Sequence, residues 1–387
     1  MQVTLSHRIA LDPTVKQEQV LRQAVGVARF AYNWALAEWK RQYEAGEKPN
    51  ECKLRRQLNA IKGEKFPWML DVPKSVPQQA IKNLGQACKG FFQGLADCPK
   101  FKKKFQHDSA RLDNGPGTFR VTGKRVHVPR FGELRLREPL RFTGKALSAT
   151  ISREADRWFV SIPVEIEMPE PERENQATVG VDLGITTTAT LSTGEKLDGP
   201  KALKSNLRRL RRCSRAHSRK KRGSANRRKW AAKLARLHQR IGNMRRDWLH
   251  KTTTWLATVL ALIGIEDLNV SGLLANPHLA RPIADIGCHE FRRQLEYKSK
   301  LYGAQVVVAD RWYPSSKLCS VCGYKTEDLS LSDRLWTCPK CGSIHDRDVN
   351  AARNLEHLAT VSSTGSDACR ELAHQGRSVK QESMSIH

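Results

Sequence analysis

Nowhere in this chain do apolar residues run for anything near the roughly eighteen positions that a membrane-spanning helix needs. The opening residues, MQVTLSHRIALDPTVKQEQ, lack a charged stretch followed by an apolar one and a small-residue cleavage site, so export is not expected. Cysteine is thin outside two close pairs. Cys52, Cys88, Cys98, Cys213, Cys288 and Cys369 are scattered singly, which fits a reducing cytoplasm rather than a disulfide scaffold. The largest deficit is in acid: 39 Asp and Glu stand against 67 Lys and Arg, a formal net charge of +28 over 387 residues. That deficit is uneven. From Lys201 to Lys251 there are twenty Lys or Arg and one acid, Asp247, so +19 of the total lies in this window. Charge so concentrated marks a polyanion site, and nucleic acid is the expected partner.

The cysteines that do cluster form two CxxC pairs, Cys319–Cys322 and Cys338–Cys341, with fifteen residues between them. This is the spacing of a four-thiolate zinc ribbon, in which two tight turns each present two sulfurs to one structural Zn2+. HDRDVNAARN follows directly, with Asp346 and Asp348 opening a helical AARNLEHLA.

Along the chain, residues 2–10 alternate as one strand, and Pro13–Thr14 start a helix with apolar residues from Val20 to Ala35 at helical spacing. Further helices are expected to about residue 105, broken at Gly46–Pro49, Gly63, Pro67, Pro73 and Pro77. They end in PKFKKKFQ, which reads equally as an amphipathic helix end or as lysines and phenylalanines tracking a nucleic-acid backbone. From Gly115 to about Pro169 the period becomes two, giving five short strands that with residues 2–10 would make a small β-barrel. PEPEREN reads as a linker. A buried strand ending in Asp182 and a hairpin come next, then the basic window, whose second half carries a helical apolar stripe. LALIGIEDLNV is a second apolar strand, FRRQLEYKSKLYG a helix and QVVVAD a strand. Beyond about residue 360 the polar, aperiodic tail reads as disordered.

Asp182 and Glu266 each end a strand, and Asp346 or Asp348 opens a helix after the ribbon. Separations of 84 and 82 residues mean that only a fold brings them together. Carboxylates converging at strand ends can hold two divalent cations, and hard oxygen ligands favour Mg2+. That is ribonuclease H-type chemistry, metal-assisted hydrolysis of a phosphodiester. VGVDLGITTTATL also suits the phosphate hairpin of actin-like ATPases, but no further glycine-rich nucleotide loops follow.

Taken in order, RFAYNWAL (29–36), VGVDLGI (179–185), IGIEDLNVSGL (263–273), SKLCSVCG (316–323), CPKCG (338–342) and HDRDVNAARN (345–354) resemble the motifs of the TnpB (OrfB) proteins of insertion sequences. These are relatives of type V CRISPR effectors, and the resemblance spans about residues 3–358. It implies an α/β, multidomain chain: a wedge β-barrel at 1–10 and 115–172, and a helical recognition lobe at 11–114. A RuvC-like nuclease would occupy 175–310 and 345–360, with the basic helical insertion at 201–251; the zinc ribbon would lie at 311–344 and the disordered tail at 361–387.

By motif position the resemblance makes Asp182, Glu266 and Asp348 the catalytic carboxylates, with Asp348 rather than Asp346 as the third, using two Mg2+ or Mn2+. It makes Cys319, Cys322, Cys338 and Cys341 the zinc ligands. The implied activity is RNA-guided cleavage of double-stranded DNA beside a short adjacent motif, in the bacterial cytoplasm, with a guide RNA from the transposon end. Arg208, Arg209, Arg211, Arg212, Arg219, Lys220, Lys221, Arg222, Arg227, Arg228 and Lys229 would contact nucleic acid backbones, and Lys74, Ser75, Gln78 and Gln79 could read base edges. An RNA-guided regulator that binds without cutting, and an RNA-independent transposase, are the alternatives; three intact carboxylates favour cleavage over the first.

Overall fold

The computed structural model describes residues 1–115, 119–171, 176–330 and 333–363, and the chain divides into two compact units, Met1–Pro169 and Glu170–His387. In the first unit, β1 (Gln2–Ala10) leads into α1 (Val15–Glu44), α2 (Glu51–Lys65) and α3 (Ser75–Phe92), with a 3-10 turn at Pro67–Asp71. α1 starts where Pro13–Thr14 signals it. The Thr14 hydroxyl accepts from the Gln17 amide and the Gln17 side chain accepts from the Thr14 amide, so two amides left open by the helix start are satisfied. α3 ends at Phe92, so PKFKKKFQ is not a helix end. It is an irregular run tied to α1, where the Asn33 side chain bonds both the amide and the carbonyl of Lys102, and Phe101 and Phe105 stay exposed.

Among the described residues seven strands follow: β2 (Ser109–Asp113), β3 (Arg120–Thr122), β4 (Arg125–Val128), β5 (Gly132–Arg135), β6 (Lys145–Ala146), β7 (Ser148–Glu154) and β8 (Arg157–Glu167). β1 pairs antiparallel with β8 along its whole length, Gln2 opposite Glu167 and Ala10 opposite Phe159, so residues 2–10 join this sheet as expected. One sheet runs β1-β8-β7-β2 with β6 also on β8, and β3-β4-β5 form another. The expected barrel does not close among the described residues. Closure needs an unbroken ladder around the ring, whereas these two sheets share only the Leu11–Leu136 bridge. β2 was not expected, because its two inward residues, Ala110 and Leu112, are too few to show a period. One buried cluster, including Ile9, Leu21, Leu84, Leu112, Leu134 and Trp158, runs through the helices and both sheets.

The second unit is built on β9 (Thr178–Asp182), β10 (Ala189–Leu191), β11 (Lys196–Leu197), β12 (Leu262–Ile265) and β13 (Gln305–Val308), in the order β11-β10-β9-β12-β13. The first three are antiparallel and the last three parallel. Between β11 and β12 lie α4 (Ala202–Ser218) and α5 (Ala225–Val259), the basic window; α6 (Val270–Ala275), α7 (Ala280–Ile286) and α8 (Cys288–Tyr302) precede β13. The hairpin β14 (Leu335–Thr337) and β15 (Ile344–Asp346) feeds directly into a further helix, α9, over 347–363. α9 therefore outruns the expected boundary near residue 360. The start of the expected GTFRVTG strand, most of the PEPEREN linker and the tail from 364 onward lie outside the described residues. No helix among those residues is long and apolar enough to cross a membrane.

α9 reaches this sheet through two glycines. Gly180 on β9 and Gly264 on β12 are register partners. A Cβ at Gly180 would lie 1.8 Å from the Ala352 carbonyl oxygen, and one at Gly264 would lie 2.3 Å from that of Leu355. Only a residue without a side chain lets a helix backbone sit this close.

Candidate active site and metal centre

Asp182 ends β9 and Glu266 directly follows β12, each two residues beyond one of the paired glycines. Asp348 lies in the first turn of α9, four residues before Ala352 and seven before Leu355, hence on the face that rests on those glycines. The three sequence-predicted carboxylates thus share one end of the sheet. Electrostatics register the crowding: burial first, then the charges of Glu266 and Asp348, push the Asp182 carboxyl well above its ordinary value, against Arg347 and Arg334. Burial also raises Glu266, against a hydrogen bond donated by the Ser315 hydroxyl and the nearby charge of Arg347. Asp348 is paired with Arg334 at 3.3 Å, and Arg334 also reaches the Thr186 hydroxyl at 3.4 Å.

The neighbouring acids have other employment. Asp346 caps α9, accepting from the amides of Asp348 at 3.0 Å and Val349 at 3.2 Å, and pairs with Lys196 at 2.8 Å. Burial alone would raise its pKa, but Lys196 and those amides bring it below the ordinary value. Asp267 is clamped by Arg311 at 2.8 Å and Arg292 at 2.5 Å, which hold it ionised. Sequence reasoning missed Ser315, Arg334 and the two glycines. The glycines had a signal, since VGVD and IGIE place Gly at the same distance before each acid.

The sulfurs of Cys319, Cys322, Cys338 and Cys341 all lie within 4.8 Å of one another, with Cys319–Cys341 and Cys322–Cys338 each at 3.6 Å. Four sulfurs about 2.3 Å from one tetrahedral ion would stand about 3.8 Å apart, so this cluster could hold a metal ion. The two turns are alike. Gly323 N donates to Cys319 O at 2.9 Å and Gly342 N to Cys338 O at 2.8 Å, and both glycines have positive φ (69° and 71°), as so tight a turn requires. His345, buried against Trp336, sits 3.1 Å from the Cys319 sulfur.

The basic window is two helices. Arg208, Arg209, Arg211 and Arg212 are exposed on α4; Arg219, Lys221 and Arg222 are exposed at the turn; Arg228 and Lys229 are exposed on α5. None of these has an acidic partner among the described residues. Lys220 is half-buried, and Arg227 turns inward to donate to Lys220 O at 2.8 Å, bracing the turn. In the first unit, Lys74 is exposed ahead of α3 and Gln78 and Gln79 are half-buried on it. Ser75 is 2% exposed and presents nothing to a groove, because α3 starts there and packs its first turn inward.

A family model described as "Probable transposase" (OrfB of IS605) matches residues 161–276, "Cas12f1-like, TNB domain" matches 289–355, and a "Helix-turn-helix domain" of the same OrfB group matches 1–48. A Streptomyces pristinaespiralis protein named "Putative RNA-guided DNA endonuclease" is 39% identical, over 98% of this chain and 96% of that one. The Escherichia coli K12 protein of the same name, InsQ, is 34% identical over 97% and 96%. Among solved structures, that described as "Cryo-EM structure of the Cas12f1-sgRNA-target DNA complex" superposes with a TM-score of 0.56 at 12% identity, covering 92% of this chain and 98% of that one, a likeness of fold. With relatives this similar along almost its entire length, the chain belongs to the TnpB (OrfB) family.

Proposed function

We propose that this protein is an RNA-guided, divalent-cation-dependent DNA endonuclease that cuts target DNA beside a short adjacent motif. The observation that carries the reading is the gathering of Asp182, Glu266 and Asp348 where α9 crosses the glycine pair. The strand order β11-β10-β9-β12-β13, antiparallel then parallel, supports a ribonuclease H-like (RuvC) nuclease. Relatives named as RNA-guided DNA endonucleases support the guide and the DNA target.

The donor set suits hard cations. It offers carboxylate oxygens only, and the burial and then the crowding of negative charge that raise the Asp182 carboxyl are what bound cations would offset. Two Mg2+ or Mn2+ held by Asp182, Glu266 and Asp348 would activate a water molecule and stabilise the departing 3′ oxygen. Ser315 orients Glu266 by its hydrogen bond, and Arg347 and Arg334 supply positive charge beside the same carboxylates. The four thiols suit Zn2+ as a structural ion. The exposed cations of α4 and α5 would hold the guide scaffold and heteroduplex by their phosphates. Residues 11–114 would serve as the recognition lobe, and 1–10 with 115–172 as the wedge.

The test pairs a cleavage assay with a binding assay on five variants. Asp182→Ala, Glu266→Ala and Asp348→Ala should each bind guide and target yet lose cutting by at least about 10²–10³-fold, since they remove preorganised charge and a cation ligand together. Asp346→Ala and Asp267→Ala should keep cutting, because their carboxylates are committed to the helix cap and to arginines. Robust cutting by Asp348→Ala would overturn the assignment.

A further inference from the structure

α9 has a second face. Asn350 and Asn354, four apart, lie on the side of the helix opposite Asp348, Ala352 and Leu355, and both are buried, at 1% and 6% exposure. Both bind the first thiol turn rather than the sheet. Asn350 Nδ2 donates to Leu318 O at 2.6 Å while its Oδ1 accepts from the Ser320 amide at 2.9 Å, so its amide group grips the backbone on either side of Cys319. Asn354 Nδ2 donates to Leu318 O at 2.8 Å and to Ser315 O at 2.7 Å. Ser315 is itself buried, and its hydroxyl donates to Glu266. One unbroken set of hydrogen bonds therefore runs from the cysteine turn through α9 and Ser315 to a carboxylate of the site. The helix that carries a second carboxylate is clamped between the glycine pair and the thiol turn.

We propose that Asn350, Asn354 and Ser315 are positioning residues that use the metal-bound ribbon as a jig, setting the height of α9 and the rotamer of Glu266 for divalent-cation binding. This rests on the nuclease reading for the purpose of the cations, but not for their binding. A donor set built on carboxylates from two strands and a helix holds its spacing only if the helix cannot slide. The asparagines resist sliding by bonding the backbone of the thiol turn directly, at Leu318, Ser320 and Ser315. Partners one step removed from a metal's own ligands typically change affinity or activity by about 10–100-fold when removed.

The experiment uses the full chain and reads Mn2+ binding by electron paramagnetic resonance, zinc content, melting temperature and cleavage. The variants are Asn350→Ala, Asn354→Asp, Ser315→Ala and Ser315→Thr; Asn354→Asp keeps the shape but removes the donor. The first three should retain one zinc, weaken Mn2+ binding about 10–100-fold and raise the Mn2+ concentration needed for cutting by a similar factor. Ser315→Thr, which restores the hydroxyl, should recover both. A purely structural role would lower melting temperature and zinc content and leave Mn2+ affinity unmoved in the folded fraction. Unchanged Mn2+ affinity in zinc-replete Asn354→Asp and Ser315→Ala overturns the proposal, as does a wild-type chain that binds no Mn2+. A wild-type chain that binds Mn2+ tightly but cuts no guided target would refute the nuclease reading alone, and the Mn2+ series would still decide the positioning.

Discussion

At the scale of single residues, the candidate site buries carboxyls and then sets their charges side by side. Asp182 carries the consequence. A carboxyl with a raised folded pKa keeps a proton that the unfolded chain has already released, so the stability it contributes is full at low pH and is lost as pH rises through the folded value. Without divalent cation, Asp182→Asn should therefore melt above the wild type at about pH 8, with the gap closing towards about pH 4. Added Mg2+ should raise the wild-type melting temperature more than that of the variant. A metal-free variant less stable than the wild type at the higher pH would show that Asp182 is held by attraction, not strained by burial and repulsion. The choice between Asp346 and Asp348 also belongs here. The residues alone leave it open, because both acids stand beside the helix start. The structure separates them by work, one capping α9 and the other facing Asp182.

At the scale of elements, α9 is placed by what it touches on each side. Gly180→Ala would drive a methyl group into the backbone of Ala352, an atom that cannot rotate away. Overpacking of this kind costs about 1–3 kcal/mol, and a displacement near 1 Å at a reacting centre costs about 10²-fold in rate. Gly180→Ala and Gly264→Ala should thus cut about 100-fold more slowly with guide binding intact. Gly242→Ala on α5, where a Cβ meets nothing within 4 Å, should gain about 0.5–1 kcal/mol by thermal melting. Equal behaviour of the three variants would refute the close-approach account. The basic helices make a separate prediction. Reversing Arg219, Lys221, Arg222 and Arg228 to Glu removes four exposed, unpaired cations. If each meets a phosphate, the log–log salt slope of RNA binding should flatten by about 3–4 units. An unchanged slope would make this a solvated face.

At the scale of the molecule, the thiol cluster and the carboxylates are one construction, since β15 runs from the ribbon straight into α9. Cys338→Ser should lower zinc below one equivalent by elemental analysis and reduce the melting temperature of the second unit, because ligand binding contributes folding energy. Full zinc in that variant would mean a different ligand set. Much of this construction is legible in the amino-acid order. Thiol spacing is local, helix and strand periods are local, and acids that end apolar runs are visible as such, so the paired thiol turns, the main strands of the second unit and the three acids that end up at one end of its sheet could be read in advance. The barrel could not, because strand period says which residues face inward but not whether the last strand meets the first; that depends on ladder geometry summed around the ring, and here, among the described residues, the ladder between the two sheets is reduced to the single Leu11–Leu136 bridge. Ser75 was misplaced for a related reason: a polar residue before a helix looks the same in sequence whether its turn faces solvent or core. What the tertiary structure alone decided is the use of α9, whose opposite faces seat on Gly180 and Gly264 and on the Cys319 turn. Those contacts join segments far apart in the chain, and a backbone approach of that closeness is set by three-dimensional packing that no local pattern records.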